Sequence, residues 1–322
     1  MRYARVCVLG GSGFVGGHLA NLLSDKGYKV RIPSRHPERH RELLILPGVE
    51  TVAAPRLDAA TLRERFAGCD AVINLIGILN ERHDDGRGFH AAHVQLARKV
   101  VDACRDTGVQ RLLHMSALGA DAQAGPSHYL KSKGEAEDLV HEAGSESLQV
   151  TSFRPSVIFG PGDSLFNRFA LLLRLSPVIF PLACPDSRFA PVYVGDVVHA
   201  FLHALEDKAT VGQRYDLCGP ATYTLRELVE YAAACAGVRR TIIGLGSRSS
   251  RWQARLLELV PGKPFSRDNY RSLQIDSVCG QVNGLETLGI TPSSVEAVVP
   301  GYLGNEQSRR RYDDYRRQAR RG

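Results

Sequence analysis

The apolar run Val6-Cys7-Val8-Leu9 leads directly into Gly10-Gly11-Ser12-Gly13-Phe14-Val15-Gly16, and His18-Leu19-Ala20-Asn21-Leu22-Leu23 follows at helical spacing. A strand, a glycine loop and a helix in that order constrain this chain more than any other feature, because together they open a βαβ unit. Gly10 permits the tight turn, Gly13 lets the backbone approach a pyrophosphate, and Gly16 lets the helix pack closely on the strand. The helix N-terminus then faces the phosphate charge. Ser12, Phe14 and Val15 complete the loop and belong with it to a dinucleotide site.

The same alternation continues through the first half. Val6–Leu9, Val30–Ile32, Val49–Ala53, Ala71–Ile76, Leu112–Met115 and Val150–Arg154 read as strands, and 15–26, 61–67, 92–107 and 130–143 as helices. Strands alternating with helices give right-handed crossovers and a parallel sheet covered on both faces. After Pro155 come a Gly160-Pro161-Gly162-Asp163 turn, helices from Leu165 to Arg174 and Asp196 to Leu205, and Pro191-Val192-Tyr193-Val194 as a return to the sheet. A helix at Thr224–Ala236 opens with Thr224 and Glu227 as a capping box. The expected fold class is α/β: a Rossmann-type doubly wound parallel sheet with a smaller C-terminal α/β substrate lobe. Residues 1–160 with 190–210 form the nucleotide domain, 161–189 and 211–305 the lobe, and 306–322 an Arg-rich tail.

The start of the chain enters the first strand at once, leaving no room for a signal peptide, and no apolar stretch is long enough to span a bilayer. Seven scattered cysteines fit free thiols in a reducing compartment better than disulfides or a zinc site. A cytoplasmic protein without a metal is expected, either free or attached to a membrane periphery. The net charge of +7 is concentrated in residues 309–322, which carry seven arginines and two aspartates. The near-neutral body argues against nucleic-acid binding. The tail itself reads as a solvated end or as an attachment to an anionic membrane or acidic partner.

Where NAD-binding sheets usually carry an acid after the second strand, this chain has Ser34 followed by Arg35. A carboxylate repels a ribose 2′-phosphate, whereas a hydroxyl and a guanidinium bind one, so NADP(H) is preferred over NAD(H). Arg35 also fits a plain surface arginine beside Arg39 and Arg41. Leu57 and Asp58 end the third strand near the adenine position, and Asp58 doubles as a helix N-cap. Leu75, Ile76 and Gly77 end the fourth strand beside the cofactor. Tyr129 and Lys133 lie one helical turn apart, on one face. A lysine ammonium there lowers the phenol's pKa and makes it a usable acid or base.

These pieces, together with Ser116 and Arg154-Pro155-Ser156-Val157-Ile158-Phe159-Gly160-Pro161-Gly162-Asp163, resemble an extended or atypical short-chain dehydrogenase/reductase, of the NAD-dependent epimerase/dehydratase kind. Asn74–Leu79, His114–Ala120, Tyr129–Glu137 and Ser266-Arg267-Asp268-Asn269 are similar to the branch that contains the NADPH-binding accessory subunit of respiratory complex I and its bacterial homologues. The resemblance implies a tightly held NADP(H), with Tyr129 and Lys133 at the nicotinamide and the backbone of Pro155, Ser156 and Val157 against its carboxamide. Two positions depart from the pattern. The Ser or Thr beside the tyrosine is met by Ala117, with Ser116 one residue earlier, and the usual asparagine of the helix before the fifth strand is met by His93. His93 fits a proton relay or a surface histidine.

Two functions remain open: an oxidoreductase or epimerase-like enzyme exchanging hydride between NADP(H) and an unidentified small-molecule carbonyl or alcohol, and a structural or assembly role associated with a respiratory complex, NADPH being a stabilising ligand. Service to quinone metabolism is a third. Ser250–Val260, with Trp252, Leu256, Leu257, Leu259 and Val260 against Arg251 and Arg255, fits either a membrane-surface segment or a helix packed on the lobe.

Overall fold

A computed structural model describes residues 4–303; the Arg-rich tail lies outside them. Seven parallel strands form the central sheet: β1 (Arg5–Leu9), β2 (Lys29–Ser34), β3 (Val49–Ala53), β4 (Ala71–Asn74), β5 (Arg111–Met115), β6 (Gln149–Pro155) and β7 (Arg214–Leu217). Their order across the sheet is β7-β6-β5-β4-β1-β2-β3, so the order in which strands are added reverses between β1 and β4. The period of two along β1 builds two cores. Val6 and Val8 enter one with α1 (Phe14–Asp25), while Cys7 and Leu9 enter the other. That second core holds the buried faces of α2 (Ala59–Phe66), α3 (Leu96–Thr107) and α4 (His128–Glu142). Burial on both sides explains the continuous apolar run of the strand.

A third core belongs to the lobe. It joins α5 (Phe166–Leu175), α7 (Leu225–Cys235) and α10 (Val295–Leu303), whereas α6 (Val194–Glu206) returns to the first core of the sheet. The Thr224/Glu227 capping box opens α7 as expected. Between α7 and α10 lie α8 (Ser247–Leu257) and α9 (Arg267–Ser272).

Three expectations need correction. Arg214–Leu217, placed in the lobe by sequence, pairs in parallel with β6 and forms an edge of the large sheet. Val192–Tyr193 does not return to that sheet; among the described residues it pairs with Ile158–Phe159 alone. The cysteines are not all free, because Cys218 and Cys279 form a disulfide across a Cα separation of 6.0 Å. Cys218 follows β7 directly, and Asn283 bonds both its N–H and its carbonyl, which brings the returning chain alongside. A separation of 61 residues hid that proximity.

Candidate active site

The glycine loop is fixed by backbone geometry. Gly10 has φ +77°, and Gly13 N–H donates to its carbonyl at 2.9 Å. A Cβ on Gly16 would stand 2.3 Å from Gly10 O, so Gly16 permits the contact between α1 and the loop. No side chain caps α1, and no acid occupies its first turn, where Phe14, Val15 and Gly16 lie. Its leading N–H groups therefore face outward as anion donors.

A cleft of about 800 Å³ opens at the switch point. It is lined by Gly10, Ser12 and Gly13, by Ser34 and Arg35, and by Leu57 and Leu75–Gly77, all singled out from sequence. The lining adds Arg39 and Lys99, which had drawn no functional reading, and contains no carboxylate. Arg35, Arg39 and Lys99 form no ion pair among the described residues. Ser34 is buried and accepts the His36 N–H at 3.3 Å. Asp58 stays exposed as the N-cap of α2, accepting Thr61 N–H at 2.9 Å.

At the inner end of the cleft, a Cβ on Gly77 would lie 3.6 Å from both Lys133 Nζ and His93 Nε2. Lys133 is buried and donates to Met115 O at 2.6 Å; burial brings its pKa down to about 8, against the opposing pull of Glu137. Tyr129 packs edge-on to Phe89 and His93. Its pKa is pushed up to about 12 by burial and by the Asp268 carboxylate, the reverse of the lowering expected from Lys133. The lysine's charge is itself disfavoured in this setting, and the carboxylate stabilises the neutral phenol.

His93 is not a surface residue. It is 3% exposed, accepts Ile78 N–H through Nε2 at 3.1 Å, and meets Ser132 Oγ through Nδ1 at 2.8 Å. An acceptor at Nε2 puts the proton on Nδ1. Burial and the Lys133 charge lower its pKa to about 3, so it is neutral at physiological pH. The hydroxyl of Ser116 donates to the fully buried Glu137 at 3.0 Å, where Arg154 and Ser152 also donate. Ser156 N–H donates to Leu217 O and its hydroxyl to Ser277 O, while the carbonyls of Pro155 and Val157 accept from Leu118 and Val192.

Asp268 was quoted only within a resemblance, yet it holds the start of the Tyr129 helix. Its two oxygens accept His128 N–H at 2.8 Å and Tyr129 N–H at 3.1 Å, beside the Ser127 N-cap. Arg271 bridges Asp268 to Asp84, which Arg271 and Arg267 hold below the usual carboxylate range. Asp84, His128 and Asp268 come within 4.8 Å of one another, with the arginines already balancing their charge. The Ser266/Asn269 capping box of α9 was the local sign that Asp268 sits in a helix first turn.

The sequence matches the NAD dependent epimerase/dehydratase family over residues 6–218. It is 31% identical over 299 residues to the mouse (Mus musculus) mitochondrial protein named NADH dehydrogenase [ubiquinone] 1 alpha subcomplex subunit 9, covering 90% of this chain and 77% of that one. It is 27% identical over 277 residues to a Stigmatella aurantiaca 4-hydroxy-2-methyl-3-oxo-4-farnesyl-3,4-dihydroquinoline-1-oxide ketoreductase, covering 79% and 80%. Among solved structures, MoeE5 in complex with UDP-glucuronic acid and NAD superposes with a TM-score of 0.73 at 20% identity, over 95% of this chain and 99% of that one.

Proposed function

The chain belongs to the NAD dependent epimerase/dehydratase family, and from that premise we propose that it is an NADP(H)-dependent oxidoreductase acting on a carbonyl or alcohol. One observation carries this reading: a carboxylate-free cleft runs from Arg35, Arg39 and Lys99, past the open N-terminus of α1, to Gly77 beside Lys133. Each part suits a different portion of the dinucleotide. The cationic rim suits a 2′-phosphate, the glycine loop the pyrophosphate, and Gly77 leaves space beside Lys133 for the ribose. When bound, the nicotinamide supplies or accepts the hydride.

The protein's own contribution is binding, orientation and a proton. Lys133 donates hydrogen bonds at the inner end of the cleft. Tyr129 keeps its proton until far above neutral pH, so it serves as a donor to the oxygen of a carbonyl as negative charge develops there. Phe89 and His93 hold the ring, and Asp268 fixes the backbone beneath it. To test this, NADPH oxidation is followed with purified protein, a small-molecule cell extract and quinone analogues, wild type beside Tyr129→Phe. Turnover that falls by about 10²-fold or more in the variant, with NADPH affinity retained, supports the reading. Equal rates in both would sink it.

A second reading is favoured by Ser116, whose hydroxyl is engaged with Glu137, and by likeness over most of the chain to mitochondrial subunits named for NADH dehydrogenase [ubiquinone] and NADH-ubiquinone oxidoreductase. In that reading NADPH is a stabilising ligand in a respiratory assembly. A ligand bound only by the folded state adds RT ln(1 + [L]/Kd) to its stability without any turnover. A large rise in Tm on adding NADPH, with the nicotinamide staying reduced under every substrate mixture, is its signature.

A further inference from the structure

The lobe carries an outward face that the cofactor reading does not use. Helix α8 buries only Ser250 and Ala254, both small. Trp252, Leu256 and Leu259 follow at i, i+4 and i+7, a single stripe on a helical path, and all three stand in solvent at 63%, 61% and 82% exposure. The ordinary amphipathic arrangement is thus turned inside out. Beside this helix, Gln253 donates to Pro181 O at 2.9 Å, joining it to the short parallel pair Ile179–Leu182 and Thr241–Gly244. Ile179 and Ile243 of that pair are also exposed.

The segment that carries the stripe is predominantly cationic. Residues 239–263 contain six cations and one carboxylate, Glu258, and Glu258 is already paired with Arg267. Arg255 lies 5.7 Å over the Trp252 ring, which leaves its charge at the rim of the apolar surface. Arg248, Arg251 and Arg255 have no carboxylate partner among the described residues. Exposed apolar side chains rimmed by guanidinium groups complement an interface that is greasy within and anionic at its edge. No described helix is long and apolar enough to cross a membrane.

We propose that this face of the lobe seats on an anionic lipid surface, with Trp252, Leu256 and Leu259 in the headgroup region and the α8 arginines against lipid phosphates. The proposal goes beyond the cofactor reading and stands without it. Trp252 is the single tryptophan of the chain, so its fluorescence reports on this face alone. The full chain, without added nucleotide, is titrated with vesicles of phosphatidylcholine, and of three parts phosphatidylcholine to one part phosphatidylglycerol. Anionic vesicles are expected to shift Trp252 emission to the blue and shield it from acrylamide, with little response to the neutral ones. The Leu256→Glu/Leu259→Glu double variant, with Trp252 retained, should weaken partition at least about tenfold, with NADPH affinity unchanged as the check on folding. Unchanged Trp252 emission with both vesicles overturns the proposal. So does co-sedimentation without a spectral shift, which would assign binding to the Arg-rich tail or to another surface.

Discussion

The sheet half and the C-terminal lobe place their apolar side chains in opposite ways. Along β1, Val6, Cys7, Val8 and Leu9 are all fully buried, divided between two cores. In the lobe, α8 hides Ser250 and Ala254 and displays Trp252 and Leu256. One glycine from each region marks the two settings: Gly16 in the loop has no room for a methyl group, whereas Gly246 at the start of α8 has nothing within 4 Å. The sheet half is a tightly determined scaffold whose polar ends surround a cleft. The lobe's outer face is loosely constrained within the chain and has surface left for something else.

The sharpest way to break this contrast is the pair Gly16→Ala and Gly246→Ala. The first drives a methyl into Gly10 O and Gly11 Cα. It should cost about 1–3 kcal/mol, read by urea unfolding, and abolish measurable NADPH binding. The second meets no clash and loses only the N-cap preference of glycine over alanine, so it should cost no more than about 1 kcal/mol and leave NADPH binding intact. Similar losses for both would mean that the loop is not the rigid element described.

Asp268→Asn tests whether the lobe holds the Tyr129 helix. It removes a charged acceptor from two N–H groups at a helix N-terminus, with an expected loss of about 1–2 kcal/mol. The phenol of Tyr129 should also ionise at lower pH, because the carboxylate that opposes phenolate formation is gone. Ultraviolet difference titration against the Tyr129→Phe background measures that shift. A destabilised variant whose Tyr129 titration stays put would reduce Asp268 to a plain structural cap.

His93 gives a smaller effect with a defined sign. Its folded-state pKa of about 3 lies below the unfolded value, so between about 3 and 6.5 the unfolded chain binds a proton that the folded chain refuses. The stability is complete above about pH 6.5 and is lost as the pH falls below it, by about 1.4 kcal/mol at pH 5.5. His93→Gln should remove that much of the stability difference between pH 7.5 and 5.5, whatever it does at neutral pH. His114, buried and likewise lowered, supplies a remaining share that the variant leaves in place.

What could be read from sequence follows the range of the interaction. Gly10 and Gly16 act within a few residues, and the Thr224/Glu227 cap closes within one turn, so local spacing revealed both. Strand–helix alternation exposed the parallel sheet for the same reason. The missed features depend on distant partners: Arg214–Leu217 needs β6, Cys218 needs Cys279, and Asp268 meets Tyr129 across 139 residues. His93 looked like a surface residue because nothing beside it announces Ile78 or Ser132 as partners. The sign of the Tyr129 shift was misjudged because Lys133 was in view one turn away, while the burial of the phenol, the larger cause, and the distant Asp268 were not.

The central claim is that the switch-point cleft takes NADP(H). Its most direct test is a titration of the full chain with NADPH and with NADH, following nicotinamide fluorescence, repeated with Arg35→Asp. The account predicts saturable binding of both, NADPH the tighter by about tenfold or more, with the difference narrowed or inverted in the variant. Equal affinities in the wild type would contradict the role given to Arg35, and no saturable binding of either would contradict the account itself.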